Sequence, residues 1–290
     1  MSIVVTGAGG HLGRLVVEKL LDRGVAPEQI VAGTRTVAAA GDLVERGVDV
    51  RHLDFDDPAS LAETFVGAQR VLIVSGTDMG RRTEQHLAAA TAAKAAGASL
   101  VAYTSAPKAD TTDLLLAAEH RATEEGIRAL DVPFSFLRNS WYVENYTAQL
   151  PTYLQFGAVV GSAGDGLISG AARADYADAA AAVLAGEGHQ NSVYELGGDT
   201  AFTLTELAAQ VAAHTGTPVA YRDVPEAELT AILIGAGFPE PVAAVFADVD
   251  RGIRHGALHV TTGDLSRLTG RPTTSLSDAV ASASAALAKT

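Results

Sequence analysis

The sequence predicts an α/β protein: a Rossmann-like, doubly wound parallel sheet with a smaller C-terminal α/β cap on the substrate side. Short apolar segments rich in β-branched and aromatic residues alternate with helix-like segments through the first half of the chain, as in β-α-β units. A glycine-rich loop, TGAGGHLG at residues 6–13, follows the first apolar segment. A strand that runs through such a loop into a helix is typical of a dinucleotide-binding sheet.

The elements of the first half follow from local signals. Leu12, Val16 and Leu20 recur every four residues after the loop and predict an amphipathic helix. Asp57 and Pro58 are typical of an N-cap followed by the first residue of a helix. Six strands are predicted, at residues 3–5, 29–34, 48–54, 70–75, 99–105 and 133–138.

The alternation loosens beyond residue 150. Residues 157–161 and 192–198 can form further strands, and Thr203 and Glu206 have the spacing of a capping box before an amphipathic helix. We therefore predict a dinucleotide-binding domain at residues 1–150. Later elements, including residues 170–198, return to this domain, and residues 151–290 form mainly the substrate-side cap.

Composition and charge exclude several classes of protein. The 290 residues include 34 acidic and 21 basic side chains, a net charge of −13 that repels nucleic acid and anionic membrane. The chain has no cysteine, which excludes disulfides and thiolate metal sites. No apolar run of transmembrane length and no secretory leader is recognisable, so we expect a cytoplasmic protein. No metal site is predicted.

The spacing of the glycines favours pyrophosphate binding. Gly7 allows a tight turn, Gly10 lets the backbone approach phosphate, and Gly13 lets the helix pack close to the strand. A tight glycine turn without a ligand is the alternative interpretation. The loop residues expected at the cofactor are Thr6, Gly7, Ala8, Gly9, Gly10, His11, Leu12 and Gly13.

The end of the second strand indicates which dinucleotide is bound. Proteins that bind NAD carry an acidic residue there, which holds the ribose 2′-hydroxyl. This strand ends in AGTRT, and Arg35 is suited to a 2′-phosphate. The sequence therefore favours NADP(H). Asp54, which ends the third strand, is placed to meet the adenine or, alternatively, to cap a turn.

The proton-transfer pair of common ketone and alcohol reductases is missing. Those enzymes use a Tyr-x-x-x-Lys pair, but none of the four lysines lies four residues after a tyrosine. Either the protein is not a catalyst, or its substrate needs little help with protons.

Several segments resemble the NmrA-like group of atypical short-chain dehydrogenases/reductases, and within it the type 2 NAD(P)H:quinone oxidoreductases. They are the glycine loop, VAYTSAPKADTTDLLLAAEHRATE, LRNSWYVENY, GSAGDGLISGAARADYADAAA and VYELGGD. Two other branches remain as alternatives. Triarylmethane or azo dye reductases share similar segments, and the nitrogen-repression regulators bind the dinucleotide as redox sensors without catalysis.

The resemblance implies roles for particular residues. The loop from Gly7 to Leu12 holds the pyrophosphate, Arg35 the 2′-phosphate, and Arg173 reaches the cofactor from a later helix. One departure is Glu125, where the quinone reductases tend to carry lysine, and this puts the acceptor preference in question. The other residues implied at the cofactor are Ser75, Gly76 and Thr77 and, around the nicotinamide, Asn139, Ser140, Trp141, Tyr142, Val143 and Glu144.

A quinone acceptor explains the missing tyrosine and lysine. Hydride transfer to a quinone gives an aromatic hydroquinone anion, a weaker base than an alkoxide, so water can complete the protonation. We expect direct transfer from NADPH to a small aromatic acceptor with no flavin or metal, and leave a homodimer open. Trp141, Tyr142 and Tyr146 are predicted to stack on the acceptor, or alternatively to be core. The catalytic candidates are Tyr103, as proton donor, and His120 and Asn145, as hydrogen-bonding partners of a carbonyl oxygen, with a surface position as the alternative for His120.

Overall fold

The computed structural model describes residues 2–289, and its main feature is a seven-stranded sheet. The strands lie in the order β3-β2-β1-β4-β5-β6-β8, and every neighbouring pair is parallel. The predicted Rossmann-like sheet is therefore confirmed. The strands are β1 (Ile3–Val5), β2 (Ile30–Thr34), β3 (Asp49–His52), β4 (Arg70–Ile73), β5 (Leu100–Ser105), β6 (Phe134–Asn139) and β8 (Ser192–Leu196), with β7 (Ala158–Gly161) and β9 (Ala220–Asp223) in a separate parallel pair.

Helices connect the strands and build the cap. The first half contains α1 (His11–Asp22), α2 (Gly41–Glu45), α3 (Pro58–Thr64), α4 (Arg82–Ala95), α5 (Ala117–Ala129), α6 (Glu144–Thr147) and α7 (Leu150–Phe156). The second half contains α8 (Arg173–Ala185), α9 (Leu204–Thr215), α10 (Glu226–Gly235), α11 (Glu240–Arg254), α12 (Asp264–Thr269) and α13 (Leu276–Leu287).

Helices cover both faces of the large sheet, as in a doubly wound fold. On one face α1 packs against α8, and Val16 and Leu20 meet the alanine-rich side of α8 in one buried cluster. On the other face α3, α4 and α5 bury Leu61, Ala89 and Ile127 against the strands. Small alanine side chains allow the helix backbones to approach the sheet closely.

Local signals in the sequence set several of these boundaries. The carboxylate of Asp57 accepts a hydrogen bond from the Ala59 N–H at 3.0 Å, and Pro58 is the first residue of α3. Thr203 and Glu206 form the predicted capping box at the start of α9. These caps satisfy backbone N–H groups that a helix leaves free at its start.

A second core holds the cap together. The β7–β9 pair and the helices α9, α11 and α13 bury Phe202, Leu207 and Ile253 together. Within residues 151–290, α8 and β8 belong to the large sheet instead, since α8 covers it and β8 pairs with β6. Among the helices of residues 2–289, none is both long and apolar enough to cross a membrane.

Candidate functional site

The carboxyl ends of the parallel strands meet at one edge of the sheet. The loop after β1 and the loop after β4 lie side by side there, because β1 and β4 are neighbours. The order of connections reverses between these two strands, which opens the crevice where doubly wound folds bind ligands.

The glycine loop closes tightly against the helix that follows it. Gly7 has a φ of +63°, and its carbonyl accepts a hydrogen bond from the Gly10 N–H at 2.9 Å. A Cβ on Gly13 would lie 2.4 Å from the Gly7 oxygen, and one on Gly9 would lie 2.5 Å from the Thr34 hydroxyl. Glycine is therefore required where the turn meets the helix and the second strand.

The loop offers backbone donors to an anion. Gly10 caps α1 without a side-chain hydrogen bond, and the first turn of the helix has no acidic residue. The first N–H groups of a helix lack intrahelical acceptors, and the helix dipole adds partial positive charge. Thr6, Ala8 and Leu12 have buried side chains, so only their backbones can reach a ligand, whereas His11 is exposed.

Substituting Gly13 with alanine is expected to weaken NADPH binding and to lower the free energy of unfolding by about 1–3 kcal/mol, because the methyl group would push α1 away from the loop. Cofactor binding by fluorescence titration and unfolding in urea measure the two effects. Gly235→Ala is the matched control, since a Cβ there meets no atom within 4 Å. Wild-type affinity in Gly13→Ala would contradict this view of the loop.

Arg35 and Asp54 follow neighbouring strands at the same edge. Arg35 is exposed, and within residues 2–289 its guanidinium makes no hydrogen bond or ion pair. Asp54 accepts a hydrogen bond from the Asp56 N–H at 3.0 Å and so forms the predicted turn, while its contact with the adenine stays a prediction. Within the described residues, Arg35 therefore offers a guanidinium without a partner at this corner.

The loop after β4 forms the other wall of the crevice. The Ser75 N–H donates to the Thr104 hydroxyl at 2.8 Å, and the Gly76 N–H donates to His86 Nε2 at 2.9 Å. Thr77 is exposed, and its carbonyl accepts from the Met79 N–H at 3.0 Å. Side chains from β5 and α4 thus hold this loop in place.

A cleft of about 150 Å³ lies between this edge and the cap. The segments after β4, β5 and β6 form its sides, together with α5 and one residue of the cap, Leu258. The lining residues are Ser75, Ser105, Ala106, Pro107, Leu114, Leu116, His120, Asn139, Ser140, Trp141, Tyr142, Asn145 and Leu258.

The segment after β6 divides between the cleft and the cap. Asn139 Nδ2 donates to the Tyr142 hydroxyl at 3.2 Å, while Asn139 Oδ1 is buried and has no donor within residues 2–289. Ser140 is fixed by its N–H, which donates to the Leu196 carbonyl at 2.8 Å. Asn139 lines the cleft, and its unpartnered Oδ1 fits a ligand that carries an N–H donor, such as the carboxamide of a nicotinamide.

Two residues expected at the nicotinamide lie elsewhere. Val143 is buried in the cap core, and the Glu144 carboxylate accepts hydrogen bonds from the Arg173 N–H at 2.8 and 3.0 Å. Neither side chain lines the cleft, because the chain turns into α6 after Tyr142 and points them toward α8 and the cap. Arg173, which was expected to reach the cofactor, lies next to a residue of the cleft. Its guanidinium stacks over the Tyr142 ring, 4.8 Å from the centroid.

The three predicted stacking residues occupy two cavities. Trp141 and Tyr142 line the cleft, but Tyr146 does not. Tyr146 packs edge-on against Phe202 and lines a second cavity of about 100 Å³ inside the cap. Trp141 and Asn145 border both cavities, so they form the wall between them.

The catalytic candidates converge around α5. His120 lines the cleft and is 6% exposed, so the alternative of a surface histidine is wrong. Tyr103 is fully buried, with its hydroxyl 2.7 Å from His120 Nδ1, and reaches the cleft only through that ring. It is not placed to give a proton to an acceptor directly. Asn145 lines the cleft as expected.

Burial controls the charge of these groups. It lowers the pKa of His120 to about 3, and the positive charge of Arg82 acts in the same direction. Burial also raises the pKa of Tyr142, so this phenol stays protonated at neutral pH. The cleft therefore presents neutral hydrogen-bonding groups.

Sequence reasoning missed six of the thirteen residues that line the cleft. Ser105, Ala106 and Pro107 follow β5 at the carboxyl edge, and the position of that strand could have identified them. No local signal marks Leu258, which comes from the cap. Glu125 is exposed and does not line the cleft, so its departure from the lysine of the quinone reductases lies outside this site.

The part of the chain that the structure describes contains no group of three or more side chains suited to hold a metal ion. Among residues 2–289, the titratable side chains that line the cleft are the imidazole of His120 and the phenol of Tyr142.

Comparisons of the sequence and of the structure with known proteins find relatives of the same kind. The sequence profile of the NmrA-like family matches residues 1–255. Quinone oxidoreductase 2 of Escherichia coli K12 is 44% identical over 278 residues, which cover 96% of this chain and 97% of the relative. The structure of the Escherichia coli NADPH-dependent quinone oxidoreductase with NADPH has a TM-score of 0.94 and 43% identity, over 97% of this chain and 99% of that one. Citrobacter sp. triphenylmethane reductase with NADP(H) has a TM-score of 0.91 and 37% identity, over 97% and 100%.

Proposed function

The chain belongs to the NmrA-like family, and we propose that it is an NADPH-dependent quinone reductase. The observation that carries the proposal is the cleft, which joins the predicted cofactor edge of the sheet to a neutral pocket bordered by Trp141 and Tyr142. The reaction is quinone + NADPH + H⁺ → hydroquinone + NADP⁺. When bound, NADPH supplies the hydride.

The residues of the crevice fit this cofactor. The backbone of the glycine loop and the start of α1 would hold the pyrophosphate, and the free guanidinium of Arg35 would pair with the 2′-phosphate. Asn139 Oδ1 would accept from the carboxamide, which satisfies an atom that is otherwise orphaned. We assign residues 1–150 and 170–198 to the cofactor-binding unit and the rest of 151–290 mainly to the cap.

The residues around the acceptor position it and exclude water. Trp141 and Tyr142 would hold a flat ring, while Leu114, Leu116 and Leu258 form an apolar wall. Water can protonate the hydroquinone anion, which needs no strong acid from the protein. We further propose a cytoplasmic location; a homodimer stays a prediction.

Dye reduction is the second candidate function. The second cavity shares Trp141 and Asn145 with the cleft, so a rotation of the indole would extend the space toward the cap. A three-ring dye needs such space, whereas a benzoquinone does not.

Arg35→Ala is expected to weaken the use of NADPH by about 10- to 100-fold while leaving NADH unchanged, because the lost hydrogen bonds go to the charged 2′-phosphate. Oxidation of each cofactor, followed by the nicotinamide absorbance with 1,4-benzoquinone and separately with a triarylmethane dye, tests this expectation. Arg46→Ala is the matched control, since Arg46 is exposed and lies at the opposite edge, before β3 begins.

The same assay separates the functions. Turnover of quinone supports the proposal, and turnover of the dye alone would make the protein a dye reductase. Tight NADPH binding without turnover of either acceptor would instead indicate a redox sensor. An equal loss for NADPH and NADH in Arg35→Ala would remove the assignment of Arg35.

A further inference from the structure

A chain of hydrogen-bonding groups runs from the loop after β4 to the cleft. The Gly76 N–H donates to His86 Nε2 at 2.9 Å. The Tyr103 hydroxyl lies 3.3 Å from His86 Nδ1 and 2.7 Å from His120 Nδ1. His86 and Tyr103 are fully buried, and His120 opens onto the cleft.

The backbone of Gly76 fixes the direction of this chain. A peptide N–H can only donate, so His86 Nε2 accepts and the hydrogen of the neutral ring is on Nδ1. That hydrogen points toward the Tyr103 oxygen and the Thr123 hydroxyl, which lies at 3.4 Å. The Tyr103 hydroxyl also interacts with the Thr123 hydroxyl, whose own hydrogen goes to the Glu119 carbonyl at 2.8 Å. The single proton of Tyr103 is directed to its 2.7 Å contact, His120 Nδ1, which accepts it.

The tautomer of His120 follows from the same order. With Nδ1 as acceptor, a neutral imidazole carries its hydrogen on Nε2. Nε2 makes no hydrogen bond within residues 2–289, so its N–H is free to meet a ligand in the cleft.

We propose that His120 acts as a neutral imidazole whose Nε2–H donates a hydrogen bond to the carbonyl oxygen of the acceptor, and that Tyr103 and His86 are positioning residues that fix this tautomer. This inference rests on the proposed reductase function. The donor stabilises the negative charge that develops on oxygen as hydride reaches the ring.

The surroundings keep the imidazole neutral. The groups that face it are Arg82 and His86 on α4 and Tyr103 on β5. Glu119 and Glu124, on the same helix as His120, act on the Tyr103 hydroxyl. Arg82 pairs with Glu119 at 2.7 Å, and burial together with Arg82 holds the pKa of His120 at about 3. An imidazolium donor is therefore disfavoured at neutral pH.

The same burial limits His120 to hydrogen bonding. If it gave up the Nε2 proton and took one from Tyr103, a phenolate would remain in the core, where burial raises the tyrosine pKa. The added proton of the hydroquinone therefore comes from water. The hydride adds its electron pair to the quinone, the quinone is reduced, and NADPH is oxidised.

Two substitutions at His120 distinguish the roles of its two ring nitrogens. Asparagine can place a polar atom only near Nδ1, whereas glutamine can place an N–H donor near Nε2. We expect His120→Asn to lower kcat for 1,4-benzoquinone about 100-fold with unchanged NADPH affinity. His120→Gln should retain most of the wild-type kcat. Equal kcat values for the two variants would overturn the proposal.

The tautomer itself is measurable without turnover. In ¹⁵N NMR spectra of histidine-labelled protein, His120 should show a protonated Nε2 and an unprotonated Nδ1 at pH 7. Tyr103→Phe should convert this signal to a mixture of tautomers and lower kcat less than His120→Asn does. Tyr194→Phe is the matched control, because Tyr194 forms a comparable 2.7 Å contact with His189 Nδ1 away from the cleft.

The readouts separate failure of this inference from failure of the proposed function. If wild-type protein reduces no quinone, the spectra still test the direction of the hydrogen bonds that run from Gly76 to His120. If it does reduce quinone, we expect kcat/KM to be constant between about pH 5.5 and about pH 8, because the neutral imidazole of His120 does not titrate in that range. A protonated Nδ1 in the wild type, or a rate that falls steadily as pH rises through 6.5, would overturn the neutral donor.

Discussion

Replacing Arg138 with methionine is expected to lower the free energy of unfolding by about 3–5 kcal/mol. The guanidinium donates to both carboxylate oxygens of Glu124, at 2.9 and 2.7 Å, and both side chains are almost completely buried. Glu195 and Asp110 accept from the remaining nitrogen at 2.9 Å each. Methionine would fill much of the volume but leave the Glu124 charge without its partner.

Urea unfolding at pH 7 measures this loss, and Arg222→Met is the control. Arg222 pairs with Glu228 at the surface, where such a pair contributes about 0–1 kcal/mol. In the double variant Arg138→Met, Glu124→Gln, part of the lost stability should return, because no buried charge is left unpaired. A loss below about 1 kcal/mol in Arg138→Met would mean that Glu124 is solvated or protonated in the folded protein.

The Arg138–Glu124 pair also connects stability to the cleft. Glu124 accepts a hydrogen bond from the Ser105 hydroxyl at 2.7 Å, and Ser105 lines the cleft. Arg138 directly precedes Asn139, whose free oxygen we assign to the cofactor. The pair thus joins β5, β6 and α5 beneath the cleft, so its loss is expected to disturb ligand binding as well as folding.

Local sequence signals predicted the framework of the fold. The glycine spacing at Gly7 and Gly13, the cap at Asp57 and the capping box at Thr203 each depend on neighbours a few residues away. Such short-range requirements are visible in a single sequence. The edge at which Arg35 emerges follows from them, because parallel strands share their carboxyl edge.

The interior of the site depends on long-range packing, which the sequence does not display. A histidine beside glutamate on a helix could face solvent or core, and only the contact with Tyr103 decides it for His120. The positions of Val143 and Tyr146 in the cap depend on how the cap packs against the sheet. Leu258 reaches the cleft from 118 residues beyond Ser140, whose hydroxyl donates to the Leu258 carbonyl.

Acidification between pH 6.5 and pH 4 is expected to destabilise the protein through its two buried histidines. Burial lowers the pKa of His86 to about 4 and that of His120 to about 3, against 6.5 in the unfolded chain. In that range the unfolded chain binds protons that the folded protein excludes. The stabilisation that the two neutral histidines contribute is therefore complete above pH 6.5 and declines below it, by about 1.4 kcal/mol per pH unit for each ring.

Asp250 works against this trend, so a variant is needed to isolate the histidine contribution. Burial raises the Asp250 pKa to about 6 from 3.8, and protonation of this carboxyl in the folded protein gains stability as pH falls. His120→Gln cannot titrate, and its unfolding free energy should fall less steeply than that of the wild type, by about 1.4 kcal/mol per pH unit between pH 6 and 4.5. Urea unfolding at several pH values measures both slopes. Equal slopes would mean that burial does not lower the pKa of His120 in the folded protein.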